Sequence, residues 1–287
     1  MKSNLQPIKL FLVVTFSCTS LLVSLTPVLA KPTVGSSLSE ALRQAQGKTY
    51  GGLRLRSDAK TTVAKATTFN QPPLPPGSAP GGRVRGGAKR GELAGCPPTQ
   101  LDLTALMSFT EEANSVINVW AQTTVEHPSW FFYVPYTKDS PYEVEFVLQD
   151  QDSNEIYQKA IALPDKPGVI RVSLPSTATP LALNKQYRWF LTINCDQQKN
   201  SPPTFVEGVV QRVELNPAAL KELQTAELLN RYAIYAQNGI WYEALTILAQ
   251  LRDKNPKDAA LQTEWRNLLG SIRLDDIAAE PIFSEKP

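Results

Sequence analysis

The sequence is poor in the residues that carry most catalytic and metal-binding chemistry. It contains one histidine, His127, and three cysteines among 287 residues. It has no H-E-x-x-H, C-x-x-C or G-x-S-x-G motif, the patterns of zinc hydrolases, dithiol redox proteins and nucleophile-elbow hydrolases. We therefore expect no metal, no cofactor and no catalytic residue. His127 precedes a proline, and we interpret it as a surface turn residue rather than a base.

The chain also lacks an apolar run long enough to span a membrane. Residues 10–25 are apolar but are interrupted by hydroxyl residues, among them Thr15, Ser17, Thr19 and Ser20, and a span needs about 20 residues. Lys2 and Lys9 precede this stretch and small residues ending at Ala30 follow it, which is the pattern of a secretory signal peptide. We expect residues 1–30 to be removed and the protein to be exported to the periplasm, cell envelope or extracellular space, with no transmembrane span remaining.

Two cysteines remain after signal removal, because Cys18 leaves with the signal. Thiols of exported proteins tend to oxidise, so we predict a Cys96–Cys195 disulfide, the alternative being two free thiols. The bridge closes a loop of 99 residues, for which the chain-entropy model gives about 4.7 kcal/mol.

Residues 31–95 differ sharply in composition from the rest. They hold 11 of the 15 glycines, a proline-rich run at 72–76 and no tryptophan, so they are expected to form a disordered basic arm. Eleven Lys and Arg against three acidic residues give the arm a net charge of +8, whereas residues 96–287 carry −8.

The arm contains the segment GGRVRGGAKRG at residues 81–91. A phosphate-binding loop would need Ser or Thr after Lys89, where Arg90 stands, and no aromatic residue lies nearby to stack on a base. We therefore expect no nucleic-acid partner. Arg83, Arg85, Lys89 and Arg90 are instead expected to contact an anionic envelope surface or polysaccharide.

The folded part is organised around residues 185–196. Their alternation places Tyr187, Trp189, Leu191, Ile193 and Cys195 on one face, which predicts a central strand with that face buried. Seven further strands are predicted at residues 99–107, 115–124, 130–136, 142–148, 155–163, 168–174 and 205–215. Short strands with Pro- and Asn-rich turns indicate an immunoglobulin-like antiparallel β-sandwich over residues 96–215.

One turn in this region resembles the start of a calcium-binding loop. Asp150, Asp152 and Asn154 have suitable oxygen spacing, but Glu155 stands where glycine is needed. We interpret the segment as a hairpin turn.

The aromatic run WFFYVPY at residues 130–136 is aromatic on both faces. Core packing explains one face. The other could bind a ligand or receive the helical part of the chain, and we take Trp130, Phe131, Tyr133 and Tyr136 as a candidate ligand or partner surface.

The periodicity changes from 2 to 3.6 after Pro217. Residues 216–275 predict a helical hairpin with tetratricopeptide-like spacing, with Arg231 where leucine is usual, followed by one more helix and a tail at 276–287. One hairpin cannot bury its own core, so it should dock on the sandwich. Trp241 and Tyr242 are added to the candidate partner surface.

The segments GGRVRGGAKRG, WFFYVPY, EFVLQD, YRWFLTINCD, FVEGVVQRV, YAQNGIWYEALTILAQLR and IAAEPI together resemble the cyanobacterial domain of unknown function 928 family (DUF928). The resemblance covers residues 81 to about 282. It implies an exported cyanobacterial protein and supplies no established reaction, cofactor or catalytic residue.

These observations predict a non-catalytic binding or scaffold protein of the periplasm or cell envelope that recognises a protein partner through its folded body. The alternative is a carbohydrate-binding module that uses the aromatic run. A glycan hydrolase is a third interpretation and would draw a carboxylate pair from Glu143, Glu145, Asp150, Asp152 and Glu207.

Overall fold

Two mixed β-sheets and four C-terminal helices make up the protein in a computed structural model, which describes residues 67–75, 79–86, 96–113, 115–198 and 200–283. The described strands are β1 (Thr104–Ala105), β2 (Phe109–Glu111), β3 (Ile117–Thr123), β4 (Ser129–Val134), β5 (Glu143–Gln149), β6 (Glu155–Ala160), β7 (Gly168–Ser173), β8 (Gln186–Asn194), β9 (Thr204–Arg212) and β10 (Ile282–Phe283). One sheet has the order β1-β4-β7-β10 and the other β2-β3-β9-β8-β5-β6.

Strand β8 is the central strand that the alternation predicts. It pairs antiparallel with β5 on one side and β9 on the other. Its buried face carries Tyr187, Trp189, Leu191 and Ile193, while the intervening residues are half-buried. Because side chains alternate across a strand, the sequence pattern was sufficient to orient this element.

The expectation of a fully antiparallel sandwich is wrong at two places. Strand β3 pairs parallel with β9, and β10 pairs parallel with β7. Alternation identifies the buried face of a strand but carries no information on its neighbour or direction, so the sequence could not reveal these pairings.

The two sheets pack against each other through large aromatic side chains. Trp130 and Phe132 of β4 meet Phe146 of β5, with ring centroids 4.9 and 6.1 Å apart, and Phe132 also lies 5.6 Å from Trp189 of β8. Within the six-stranded sheet, Gly208 of β9 lies opposite Trp189 of β8 and has no room for a side chain, since a Cβ there would lie 2.5 Å from the Trp189 ring.

The predicted disulfide between Cys96 and Cys195 is confirmed, with an S–S distance of 2.02 Å. It joins the segment that precedes β1 to the end of β8. The predicted hairpin turn after β5 is confirmed too, because Asp150 Oδ1 accepts hydrogen bonds from the amides of Asp152 and Asn154, each 2.9 Å long.

The helical part contains more elements than the predicted hairpin plus one helix. The helices are α1 (Pro217–Thr225), α2 (Leu228–Gln237), α3 (Trp241–Lys254) and α4 (Ala259–Gly270), followed by a 3₁₀ turn at Asp275–Ile277. A break at Ala226 and Glu227, both in extended conformation, separates α1 from α2. Neither residue is a glycine or proline, so no local sequence signal predicts the break.

The prediction that all of residues 31–95 form a free arm is wrong for residues 67–75 and 79–86, which we call the strap. Phe69 is buried edge-to-face against Trp241, with centroids 4.8 Å apart. Arg83 exchanges two backbone hydrogen bonds with Glu207 of β9, and the Val119 amide of β3 donates to Gly81. The strap thus bonds to both β3 and β9 next to the point where these two strands stop pairing with each other. Farther along the strap, Arg85 forms a β-bridge with Thr104 of β1.

Residues 276–287 were predicted to be a tail, but the described part of this segment is built into the fold. Ile277 and Ala278 are buried, and β10 extends the four-stranded sheet. The apolar residues of this short segment have a sheet edge to pack on, which its sequence alone could not show.

Candidate functional site

Helix α3 packs against β3 and β4, which belong to different sheets, and the aromatic residues at its start make these contacts. Trp241 Nε1 donates a 2.9 Å hydrogen bond to the Leu106 carbonyl. Tyr242 packs edge-to-face on Trp130, with ring centroids 5.7 Å apart. Both side chains are almost fully withdrawn from solvent, so they attach the helical layer to the β-sheets.

The prediction of an exposed aromatic surface is wrong. All of its members are buried, with exposed fractions from 0 to 9 %: Trp130, Phe131, Tyr133, Tyr136, Trp241 and Tyr242. One face of β4 packs on the other sheet, and Phe131 on the opposite face lies beside Ala249 of α3 and Phe283 of β10. The helical part and β10 therefore lie beside Phe131 on the second aromatic face.

Burial also sets the chemistry of the tyrosines in this layer. Burial raises the pKa of Tyr136 to about 12, and its hydroxyl donates a 2.8 Å hydrogen bond to the Pro97 carbonyl. Burial raises the pKa of Tyr242 as well, against the opposing effect of the Trp130 and Trp189 indoles. These indole N–H groups approach the Tyr242 hydroxyl without reaching hydrogen-bond geometry. Neither tyrosine is suited to proton transfer near neutral pH.

A cleft of about 420 Å³ opens where the β3–β4 loop meets helices α2 and α3. It is lined by Val125, His127, Pro128, Ser129, Arg171, Leu228, Arg231, Tyr235, Tyr242, Glu243, Thr246, Ile247 and Gln250. Its lining combines apolar side chains with a few polar groups, as is usual in binding sites. We call it the interlayer cleft.

Glu243 of α3 is the buried carboxyl group of this cleft. Its Oε1 accepts four hydrogen bonds, from the Thr123 hydroxyl at 3.1 Å, the Thr124 amide and hydroxyl at 2.6 and 2.7 Å, and the Val125 amide at 3.1 Å. Its Oε2 is buried without a partner among the described residues. Burial raises the pKa of Glu243, although the hydrogen bonds from Thr124 and Thr123 work in the opposite direction.

Two arginines and the histidine supply the polar wall of the cleft. Arg171 donates from Nη2 to Ser129 Oγ at 2.9 Å, while its Nε is buried without a partner among the described residues. Arg231 donates from Nε and Nη2 to the Leu223 carbonyl. His127 Nε2 lies 3.2 Å from the Ala178 carbonyl and therefore carries the proton there. The histidine thus fixes the loop, as a turn residue does.

The rim of the cleft is apolar and open to solvent. Val125 of the β3–β4 loop and Leu228 at the start of α2 are 40 and 41 % exposed. Leu229, the next residue of α2, is 45 % exposed. Exposed apolar side chains beside a cleft are typical of a surface that another molecule covers.

Three of the five carboxylates proposed for a glycan hydrolase have other partners in the described structure. Glu145 of β5 accepts a hydrogen bond from Gln158 of β6, Asp150 holds the hairpin turn, and Glu207 of β9 pairs with Arg188 at 3.2 Å. Glycoside hydrolysis needs two carboxyl groups within roughly 5–10 Å across one bond. Among the described residues that line the interlayer cleft, Glu243 is the one carboxyl group.

The two basic-arm residues that the structure describes lie in a second, more open groove. Arg83 and Arg85 of the strap line it together with Phe109 of β2 and Arg273, which follows α4. Lys89 and Arg90 lie outside the described residues. The sequence alone could not predict this arrangement, because Arg273 lies nearly 200 positions after the arginines of the strap.

Within the described part of the chain, no helix is both long and apolar enough to cross a bilayer. The same residues contain no group of three or more His, Cys, Asp or Glu side chains that could hold a metal ion.

Sequence reasoning missed Glu243, Arg171 and Arg231 as components of the cleft. Glu243 carried a weak signal, because it is the one charged residue in the otherwise apolar start of α3. A glutamate in the first turn of a helix is common for electrostatic reasons, so the signal did not separate a buried carboxyl from an ordinary surface one.

The comparisons with known proteins identify a family and assign no activity. No protein of curated function matches the chain in sequence. The model of one family, described as Domain of Unknown Function (DUF928), matches residues 85–282, from the end of the strap to the start of β10. Because this match covers well over half of the sequence, the chain belongs to the DUF928 family.

Proposed function

We propose that the protein is a non-catalytic binding protein of the periplasm or cell envelope that holds a segment of a partner protein in the interlayer cleft. The observation that carries this proposal is the cleft itself, where exposed Val125 and Leu228 flank Arg171 and Arg231. An apolar rim with a few convergent polar groups suits a peptide segment that offers both apolar and charged or polar side chains.

The arrangement of Glu243 supports binding rather than catalysis. A general acid or base needs an oxygen that can reach the substrate proton. Glu243 Oε1 is already occupied by four donors, and Oε2 is buried. The carboxyl group therefore joins the start of α3 to the end of β3 and keeps both walls of the cleft in place.

Export is the second part of the proposal. Residues 1–30 have the pattern of a signal peptide, and they lie outside the described residues. The Cys96–Cys195 bridge is compatible with an oxidising compartment. A cyanobacterial source, which the family resemblance implies, is part of the same proposal.

We further propose that the sheets form an immunoglobulin-like sandwich. The neighbours β9-β8-β5-β6 have the order G-F-C-C′ of a variable-type domain, and β4 lies beside β7 as strand B lies beside E. At the start of β8, the Tyr187 hydroxyl accepts a 2.9 Å hydrogen bond from the Ala182 amide five residues upstream. This contact resembles the tyrosine corner of such domains.

The pair α2 and α3 supports a tetratricopeptide-like origin for the hairpin. Gly239 lies between the two helices with a positive φ of 75°, where a left-handed residue ends α2. A Cβ at this position would lie 2.9 Å from the Asn70 carbonyl of the strap. The turn of the hairpin therefore also receives the strap.

The proposal can be tested by site-specific photo-crosslinking in cells. The full chain would carry a photoreactive amino acid at Leu228 on the cleft rim or, as a matched control, at Leu220, an exposed leucine of α1 outside the cleft lining. We expect one protein to be captured from position 228 and not from position 220.

The captured protein would then be purified and its affinity measured. We expect Leu228→Glu to weaken binding at least tenfold, about 1.4 kcal/mol, and Leu220→Glu to leave it nearly unchanged. Equal capture at both positions, or equal loss from both variants, would show that the cleft is not the recognition site.

A further inference from the structure

We infer that the groove between the strap and β2 is a second binding site, and that it takes the carboxylates of an acidic polysaccharide. This arginine groove has a volume of about 520 Å³ and is lined by Gly82, Arg83, Val84, Arg85, Phe109, Glu111, Ser115, Ile117 and Arg273. It is separate from the interlayer cleft, with which it shares no lining residue. The inference therefore does not depend on the proposed protein partner.

The three guanidinium groups of the groove are held in place by the protein. Arg83 lies over the Phe205 ring at 4.5 Å, and Arg273 lies over the Phe109 ring at 4.7 Å. Arg85 donates two 2.8 Å hydrogen bonds to the Asp276 carboxylate. An arginine that is already oriented loses less conformational entropy when it binds a carboxylate.

The charge of the groove is opposite to that of the rest of the folded body. Three arginines line it against one carboxylate, Glu111, and Asp276 pairs with Arg85 at 2.8 Å, so one positive charge remains in surplus. Residues 96–287 as a whole carry a net charge of −8. A cationic groove on an acidic body concentrates anions at one place and repels them elsewhere.

The groove suits an extended polyanion better than a peptide. Peptide recognition uses pockets that receive individual side chains, whereas this groove is more open to solvent than the interlayer cleft. The rings of Phe109 and Phe205 are each covered on one face by an arginine. The rings therefore orient the positively charged guanidinium groups. Spaced guanidinium groups match repeated carboxylates, and arginine can bind each carboxylate through two hydrogen bonds.

Glu111 provides a test that ordinary loss of structure cannot mimic. Its carboxylate lies 3.5 Å from Arg273, and both side chains are about half exposed or more. Glu111 therefore competes with an incoming anion for Arg273. Removing its charge with Glu111→Gln should strengthen binding of a polyanion, because it releases Arg273 and removes like-charge repulsion.

The experiment measures binding of the full chain to polygalacturonate as the carboxylated probe, by biolayer interferometry at low and raised salt. We expect Arg83→Ala and Arg273→Ala each to weaken binding at least fivefold and Glu111→Gln to strengthen it two- to fivefold. Lys221→Ala on the exposed surface of α1, a change of the same charge outside the groove, should have no effect. Raised salt should weaken binding and reduce these differences, because it screens exposed charges.

Three results would overturn the inference. The first is binding that is lost in a Lys89→Ala, Arg90→Ala variant but retained in both groove variants. The second is weaker binding by Glu111→Gln. The third is tighter binding to vesicles containing phosphatidylglycerol than to polygalacturonate, which would assign the groove to a lipid surface. A circular dichroism melt of every variant verifies that it is folded, and Glu111→Gln keeps the test decisive if an arginine variant is not.

Discussion

The four hydrogen bonds to Glu243 Oε1 allow a quantitative prediction about the joint between α3 and β3. In Glu243→Ala, the Thr124 and Val125 amides and the Thr123 and Thr124 hydroxyls lose their acceptor. With a net value near 1 kcal/mol for each bond, we expect the free energy of unfolding to fall by about 4 kcal/mol. In Glu243→Gln the acceptor oxygen is retained, so the loss at low pH should stay below about 1.5 kcal/mol.

The pH dependence separates the charge of Glu243 from its hydrogen bonds. Burial raises the pKa of this carboxyl in the folded state, so the folded protein holds the proton more tightly than the unfolded chain. The resulting stabilisation is complete below the unfolded pKa and is lost as the pH rises through the folded pKa. Glutamine does not titrate, so the stability of Glu243→Gln relative to the wild type should improve as the pH rises from the unfolded to the folded pKa of Glu243 and should stay constant above it.

Urea unfolding monitored by tryptophan fluorescence at pH 4, 6 and 8 measures both effects. Comparing variants at each pH cancels the titration of other carboxylates, and Glu222→Gln on the exposed surface of α1 is the matched control. A difference between wild type and Glu243→Gln that is constant with pH would refute the desolvation argument. A loss below about 1 kcal/mol for Glu243→Ala would refute the value assigned to the four hydrogen bonds.

Two further predictions concern the attachment of the chain's N-terminal part to the body. Reduction of the Cys96–Cys195 bridge, or the Cys96→Ala, Cys195→Ala double variant, should lower stability by up to about 4.7 kcal/mol, because the bridge closes a separation of 99 residues; urea unfolding with and without reductant measures this, and an unchanged midpoint would contradict it. Phe69→Ala should cost about 3–5 kcal/mol, because Phe69 is buried against Trp241, and should speed proteolysis within the strap; an unchanged cleavage rate would mean that the strap does not depend on this contact.

The sequence was most informative where periodicity and burial coincide. The alternation of Tyr187, Trp189, Leu191, Ile193 and Cys195 predicted a buried face; the first four are buried, and Cys195, just beyond β8, is half-buried. The disulfide was predictable because two cysteines remained after Cys18 was assigned to the signal. Both inferences depend on local pattern or on counting, which a single sequence contains.

The sequence was misleading where burial depends on distant residues. The strap is rich in glycine and proline, which indicates flexibility, yet Phe69 and Val84 are buried by partners that lie far along the chain. The aromatic run of β4 was interpreted as a surface because one sheet can cover only one of its faces. Helix α3 and β10 lie beside Phe131 on the other face, and the positions of these elements depend on the tertiary fold.

The position of the strap links the arginine groove to the rest of the fold. Arg83 and Arg85 reach the groove only when the strap is docked, and the pair of hydrogen bonds from Arg85 to Asp276 joins the strap to the segment after α4. A polyanion that bridges Arg83 and Arg273 therefore binds the docked strap in preference to the undocked one. By linkage, such a ligand stabilises docking by RT ln(1 + [L]/Kd). Protection of the strap from proteolysis should then increase with the concentration of polygalacturonate, and Arg273→Ala, which leaves the strap sequence intact, should need at least fivefold more polygalacturonate for the same protection.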